Sequence, residues 1–174
     1  YTIDPNTSRT VVGAGIEKTG WFFNGALDEI KIIPRALTQD EIALMYNQEK
    51  PNANGLYCYY ACQNNMLDYS GNQNHGKTNV TYTTDRLGTP YRAASLDGVT
   101  SMATSTSFMV GFPSGNCAKT VTGWFKTSDL STRPMMLFGF GAPDYGKNFQ
   151  VGIENNKFRV NAWGASYDWL TTVD

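Results

Sequence analysis

The chain lacks the features that mark membrane-spanning and nucleic-acid-binding proteins. Its apolar runs are much shorter than the roughly 18 residues that cross a bilayer, and residues 1–10, YTIDPNTSRT, lack the basic and apolar zones of a signal peptide. The 14 Lys and Arg residues are scattered and the formal net charge is −1, so no basic stripe is available to a phosphate backbone. We therefore expect no membrane span and no nucleic-acid partner.

Groups for nucleophilic or metal catalysis are also scarce. The single histidine, His75, lies in a loop rich in Asn and Gly, whereas a catalytic triad or zinc site needs further groups of this kind. The three cysteines are Cys58, Cys62 and Cys117. Cys58 and Cys62 lie about 13 Å apart on one strand, too far to bond. Two alternatives remain for the cysteines. Either of these two residues forms a disulfide with Cys117, or all three are reduced, buried thiols.

The chain is rich in aromatic residues, at 13%, and in glycine, with 17. Together with plentiful Thr, Ser and Asn, this composition is typical of short strands joined by tight turns. We expect an extracellular or cell-surface β-protein. Two Asn-x-Ser/Thr sequons, at Asn6 and Asn79, are candidate glycosylation sites.

One helix is predicted, shortly after a strand. Ile30 and Ile32 alternate with Glu29 and Lys31, which predicts a strand over residues 27–33 with Asp28 on its buried side. Thr38 and Glu41 have the spacing of a capping box, and the apolar residues that follow fall on one helical face.

The rest of the chain predicts short strands at spacings of about 10–15 residues. The letters ENNK at residues 154–157 separate two strand-like runs and indicate a hairpin turn in which Asn adopts positive φ. Trp124 shares a strand with Val121, and we expect it in the core. About nine or ten strands and one short helix predict an all-β, antiparallel two-sheet sandwich.

Several stretches resemble the laminin-G-like (LamG-like), concanavalin A-like jelly-roll domains, a family with pentraxin-like members. FNGALDEIKIIPRALTQDEIALMY, residues 23–46, resembles the closing strand and helix of that family. GLYCYYACQNNMLDYSGNQNHG, TTDRLGTPYRAASLDGV and TVTGWFKTS, from residue 55 onward, resemble its opening strands and loops. Cys62 stands where the family has a buried aromatic residue, which favours a Cys62–Cys117 disulfide.

The family's closing segment comes first here. A polar connector at residues 49–55 separates closing strands and helix, residues 1–50, from opening strands, residues 51–174. Because the family places its first and last strands side by side, the two segments could form one permuted jelly-roll sandwich. The alternative is a junction between two tandem repeats. The start at Tyr1 and the strand-like end lead us to expect part of a longer chain.

The resemblance also implies calcium, because laminin-G-like and pentraxin relatives often hold it. The candidate ligands are Asp28, Asp68 and Asp97, with Asn72 and Asn74 as additional oxygen donors. The alternative is that these carboxylates bind loop amides in Asx-turns.

A sugar site would need exposed aromatic rings beside polar groups. The candidate ligand-binding residues are Trp163, Tyr167 and Trp169, with Tyr145 in a nearby turn. The alternative is that these rings lie in the core or cover a sheet edge.

We expect a non-catalytic extracellular LamG-like module for adhesion, carbohydrate or glycoprotein binding, or assembly of a repeat filament. Its partners would be glycans, cell-surface proteins or further copies of itself. The alternative is a glycoside-active enzyme or its accessory carbohydrate-binding module, and such enzymes need two carboxylates about 5–10 Å apart. Adjacent Asp28 and Glu29 should face opposite sides of their strand, whereas two acidic side chains in one concave groove would favour the enzyme.

Overall fold

The computed structural model describes residues 9–47, 55–107, 112, 117–129 and 131–162, and the backbone of 169–170. Within this part of the chain there are twelve strands, rather than nine or ten, and one helix. The strands are β1 Arg9–Val12, β2 Asn24–Ile33, β3 Cys58–Tyr60, β4 Gly76–Thr78, β5 Thr81–Thr83, β6 Ala93–Asp97, β7 Ala103–Ser105, β8 Thr120–Lys126, β9 Met135–Gly141, β10 Asn148–Glu154, β11 Lys157–Asn161 and β12 Trp169–Leu170; the helix, α1, is Gln39–Asn47.

The strands form two antiparallel sheets. The seven-stranded sheet has the order β12-β11-β10-β9-β1-β7-β4, and the five-stranded sheet has the order β3-β2-β6-β5 with β8 also paired to β2. Apolar side chains from both sheets form the main core, including Ile30 and Ile32 of β2 and Met135 and Phe140 of β9. The described part of the chain is therefore an all-β, two-sheet structure with one helix.

The first two strands lie inside the sheets rather than at their edges. β1 lies between β9 and β7, with Thr10 opposite Phe140 and Val12 opposite Ala103. β2 pairs with β6, β3 and β8. The segments on either side of the polar connector therefore contribute strands to both sheets.

Two local predictions are confirmed. β10 and β11 form a hairpin, and its turn residues Asn155 and Asn156 have φ values of 52° and 59°. At the start of α1, Thr38 N donates to Glu41 Oε2 at 2.9 Å, and Glu41 N donates to Thr38 Oγ1 at 3.3 Å. This reciprocal pair of bonds is the capping box that the spacing of the two residues predicted.

The helix α1 packs on the face of the five-stranded sheet that points away from the core, called the outer face below. Leu37 and Met45 pack against a small apolar cluster that contains Ile33 and Tyr59. No residue within α1 is itself buried. The helix therefore covers only part of this face.

Candidate functional site

A bulge in β2 determines which side chains reach the outer face. Glu29 has a φ of 50°, and the register between β2 and β8 shifts between Asp28 and Lys31. Asp28 lies opposite Trp124, and Lys31 lies opposite Thr122. Directly opposed residues point to the same face, so Asp28 and Lys31 share the outer face although an odd number of positions separates them. The strict alternation predicted for this strand is wrong here, and Asp28 is buried on the side away from the core.

A cleft of about 560 Å³ opens on this face beside Asp28. It is lined by the first half of β2, the turn after β5 and the second half of β8. Its charged side chains are those of Asp28, Asp85, Arg86 and Lys126, and Trp124 adds a large aromatic ring. The volume falls in the range of about 300–1,000 Å³ that is usual for small-molecule sites.

Asp28 is the buried carboxylate of the cleft, with 8% of the residue exposed. Its Oδ1 accepts a hydrogen bond from Glu29 N at 2.7 Å, and among the described residues no side chain donates to it. Burial raises the pKa of Asp28 to about 7; the bond from Glu29 N opposes this rise, and the charges of Glu29 and Asp85 add to it. A carboxyl group with such a pKa can exchange a proton near neutral pH.

Asp85 is the second carboxylate at the cleft. Its Oδ1 accepts hydrogen bonds from Leu87 N at 2.9 Å and Thr89 N at 2.8 Å, so the side chain also holds the turn after β5. The sequence pattern offers Asp28 a paired carboxylate only in its neighbour Glu29. The structure instead places Asp28 and Asp85 at one cleft, through the pairing of β5 with β6 and of β6 with β2.

Trp124 is half-buried on the outer face, so the prediction that it lies in the core is wrong. The Arg86 guanidinium lies over its ring, 4.3 Å from the ring centroid. The Tyr46 ring of α1 packs against it with 5.1 Å between centroids. Val121, an odd number of positions away on the same strand, packs against the core instead.

Asp68, a predicted calcium ligand, closes the loop between β3 and β4. Its carboxylate accepts hydrogen bonds from Tyr59 N at 2.8 Å, Ser70 N at 2.9 Å and Asn74 N at 2.9 Å. Asp68 N in turn donates to His75 Nδ1 at 3.1 Å. The carboxylate and the single histidine are therefore both parts of one loop network.

Asp97 has a similar role in the exposed turn after β6. Its Oδ1 accepts hydrogen bonds from Thr100 N, Ser101 N and Val99 N at 2.8–2.9 Å. These bonds hold the pKa of Asp97 well below its usual range. Asp68 and Asp97 both bind backbone amides of their own loops, which is the alternative to calcium binding that the sequence predicted for them.

The predicted calcium ligands lie on three different elements. Asp28 is in β2, Asp68 is in the loop before β4, and Asp97 ends β6. The side-chain nitrogens of Asn72 and Asn74 both donate to Tyr57 O. In the ranges that the structure describes, no group of three or more His, Cys, Asp or Glu side chains could hold a metal ion. Calcium binding stays a prediction.

The predicted aromatic ligand-binding set has one described side chain. Tyr145 is exposed in the turn between β9 and β10, where its N donates to Asp144 Oδ1 at 2.8 Å. Trp163 and Tyr167 lie outside the described residues, and Trp169 is described only by its backbone in β12. Among the described residues, Tyr145 does not line the cleft on the outer face.

All three cysteines are free: Cys58 and Cys62 are buried and Cys117 is exposed. The predicted Cys62–Cys117 bond is absent from this structure, because the Cys62 thiol lies in the core, with its Sγ 3.8 Å from Met66 Sδ, whereas Cys117 is at the surface. Burial raises the pKa of Cys62 to about 12, which is typical of an unreactive thiol.

Of the two sequon asparagines, Asn79 is described and exposed. Its Nδ2 donates to Thr100 O at 3.1 Å and its Oδ1 accepts from Met102 N at 2.9 Å. The side chain thus joins the segment after β4 to the segment before β7. Asn6 lies outside the described residues, and glycosylation of both positions stays a prediction.

No family model, curated protein or solved structure matches this chain. Among the described residues, no helix is long and apolar enough to cross a membrane.

Proposed function

We propose that this chain is a non-catalytic, LamG-like jelly-roll module that binds glycans or glycoproteins outside the cell, with the outer-face cleft as its ligand site. One observation carries the proposal: the cleft combines the ring of Trp124 with charged side chains on three of its borders. Sugar ligands are held by an aromatic ring together with a few well-placed polar groups.

The charges of the cleft suit an uncharged, hydroxyl-rich ligand. Two carboxylates, Asp28 and Asp85, are matched by two cations, Arg86 and Lys126. Hydroxyl groups can donate to the carboxylates and accept from the cations. A ligand that stacks on Trp124 displaces the Arg86 guanidinium from the ring, and Arg86 remains free to bond a ligand oxygen.

In this role the module serves adhesion or assembly, with glycoproteins or further copies of the chain as partners.

The test is binding to an array of neutral oligosaccharides, followed by calorimetry on each oligosaccharide that binds. Removing an aromatic ring that stacks on a nucleic-acid base costs about 1–3 kcal/mol; with a loss of the same order on a sugar, we expect Trp124→Ala to weaken binding by about tenfold or more. Tyr145→Ala is the matched control, because it removes an exposed aromatic residue away from the cleft and should leave the affinity unchanged. Absence of binding, or loss of affinity only in Tyr145→Ala, would reject the cleft as the site.

A second function, glycoside cleavage, is favoured by one specific observation. Two carboxylates, Asp28 and Asp85, line the same cleft, and the pKa of Asp28 is raised to about 7 by burial. An acid with such a pKa beside a second carboxylate is the arrangement that glycosidases use. Incubation of the bound oligosaccharides with the protein distinguishes the two functions. Cleavage that is lost in Asp28→Asn while binding is kept would establish the enzyme, and intact oligosaccharides would establish the binding module.

Calcium belongs to the proposed function as an expectation of the resemblance. Its test is thermal unfolding in the presence of millimolar calcium and of a chelator. A calcium-dependent rise in Tm that Asp97→Asn removes would support a site at the turn after β6. Equal Tm values in calcium and chelator would reject it.

A further inference from the structure

A second, smaller pocket lies beneath α1, separated from the cleft by Trp124. Its volume is about 170 Å³. Met45, Tyr46 and Trp124 form apolar walls, and Lys31, Glu29 and Thr122 supply its polar groups. We refer to it below as the helix pocket. A cavity of about 150 Å³ can hold one benzene molecule, so the helix pocket has room for a single six-membered ring.

Lys31 is the polar side chain most deeply buried here, with 4% of its side chain exposed. Its Nζ lies 3.7 Å from Glu29 Oε2, which is longer than the roughly 2.7–2.9 Å of a charge-assisted hydrogen bond. Its other contact is with the Tyr59 ring, at 5.2 Å from the centroid. An ammonium group has three N–H donors, so the contacts of Lys31 leave it able to donate to a further acceptor.

Two oxygen atoms at the same pocket also lack hydrogen bonds. Glu29 Oε2 and Thr122 Oγ1 are buried and have no hydrogen-bond partner among the described residues. Buried polar atoms in folded proteins are nearly always hydrogen-bonded. One pocket therefore contains a lysine that can donate further hydrogen bonds and two oxygen atoms, of Glu29 and Thr122, without a partner among the described residues.

The charges around Lys31 define the ligand further. Burial lowers the pKa of Lys31, while Glu29 and Asp28 favour its charged form and Arg86 opposes it. Two carboxylates and two cations thus offset one another around the pocket. An ionic ligand would bring in a buried charge that has no free counter-ion, which is costly. A hydroxyl group can form hydrogen bonds with these polar groups without adding a charge, because it accepts from the Lys31 ammonium and donates to a carboxylate or hydroxyl oxygen.

We propose that the helix pocket binds a compact, neutral ring that bears one hydroxyl group, with the hydroxyl at Lys31, Glu29 and Thr122 and the ring between Met45, Tyr46 and Trp124. This chemistry belongs both to free phenol-type molecules and to a tyrosine side chain of a partner protein.

The experiment is a titration of the ¹⁵N-labelled full chain with p-cresol, toluene and 4-methylbenzoate, followed by NMR. The indole N–H signal of Trp124, assigned with Trp124→Phe, reports on the pocket wall. We expect p-cresol to bind with a Kd on the order of 1 mM, as suits so small a ligand. Toluene should bind about tenfold more weakly because it lacks the hydroxyl, and 4-methylbenzoate should bind more weakly still.

Thr122→Val is the informative variant, because it removes one hydroxyl and keeps the shape of the side chain. It should weaken p-cresol severalfold and leave toluene unchanged, whereas Thr81→Val, at an exposed position of β5, should change neither. If Thr122→Val does not fold, the preference of the natural chain for p-cresol over toluene and 4-methylbenzoate decides the question. Equal affinities for p-cresol and toluene, or no shift at 10-fold the expected Kd, would overturn the proposal and leave the pocket a site for water only.

The source of the ligand is decided by a second pair of probes, the capped tripeptides Gly-Tyr-Gly and Gly-Phe-Gly. Tighter binding of the tyrosine peptide than of p-cresol assigns the pocket to a partner protein. Weaker binding of that peptide assigns it to a free small molecule. Equal binding of the tyrosine and phenylalanine peptides would contradict the role of the hydroxyl.

Discussion

The environment of Asp28 makes the stability of the protein depend on pH near neutrality. Its pKa is raised to about 7 in the folded protein, whereas an aspartate in an unfolded chain has a pKa of about 3.9. Between about pH 4 and pH 7 the folded state therefore binds more protons than the unfolded state. The free energy of unfolding consequently falls as the pH rises through this window, in contrast to the usual behaviour of a salt-bridged carboxylate.

We expect Asp28→Asn to remove this dependence, because it keeps the shape of the side chain without the charge. One pKa unit corresponds to about 1.4 kcal/mol, and water in the cleft screens part of the cost. The variant should therefore be more stable than the natural chain by about 1–2 kcal/mol at pH 8 and equally stable at pH 4. Urea unfolding at the two pH values measures the difference.

The control for this experiment is Asp40→Asn, which removes an exposed carboxylate from the first turn of α1. It should leave the pH dependence between pH 4 and pH 7 in place. If Asp28→Asn and the natural chain showed parallel stability profiles, the raised pKa of Asp28 would be contradicted.

At the scale of the element, α1 depends on its cap more than a buried helix would. None of its residues is buried, so tertiary packing contributes little and the first turn relies on Thr38 and Glu41. Arg35 reinforces the cap, because both of its terminal nitrogens donate to the Glu41 carboxylate. The helix is therefore a part of the structure that can open locally without unfolding of the sheets.

We expect Thr38→Ala to destabilise α1 by about 1 kcal/mol, the usual cost of removing an N-cap. Amide hydrogen exchange within α1 should become about fivefold faster, while exchange in β9 and β10 stays unchanged. Thr81→Ala, which removes an exposed threonine from a strand, serves as the control. Equal exchange rates in α1 of Thr38→Ala and the natural chain would show that the capping box does not hold the helix.

α1 and β2 show which structural features a local sequence pattern can predict and which it cannot. The capping box involves residues three positions apart, so local spacing was sufficient to predict it. The bulge at Glu29 is marked in LDEIK only by two adjacent polar residues, Asp28 and Glu29, which interrupt the alternation but do not show how the strand pairs. A bulge is fixed by the register with the partner strand, and that register depends on β8, far away in the sequence. For this reason the face of Asp28 was predicted incorrectly, whereas the outer-face position of Trp124 follows from its odd spacing from the core residue Val121 on the same strand.

At the scale of the whole molecule, the segments before and after the polar connector depend on each other. Val11 and Val12 of β1 and Leu27, Ile30 and Ile32 of β2 are all buried. Their partner strands lie in the later segment, so removal of residues 1–50 would expose the interior of both sheets. The type of fold was predictable from composition and turn signals, whereas the cleft was not, because its residues come from three segments that only the complete sheet brings together.

We therefore expect a chain of residues 51–174 to lack cooperative unfolding. Thermal unfolding followed by circular dichroism should show a broad change without a transition, in contrast to the full chain. Addition of a peptide of residues 1–50 should restore the transition in part. A cooperative transition in residues 51–174 alone would contradict the mutual dependence and favour two separate units.

The interior position of β1 also bears on how the protein is made. β1 and β2 leave the ribosome before their partner strands, because the strand opposite Thr10 contains Phe140, and the strand opposite Ile32 contains Val121. Until those partners are synthesised, the backbone N–H and C=O groups of these two valine- and isoleucine-rich segments are unpaired. Unpaired strands of this kind are prone to pair with strands of other chains and aggregate. Pairing between such distant positions also makes folding slow, so the yield of native protein should depend on chaperones that cover nascent strands and on the rate of translation beyond residue 141.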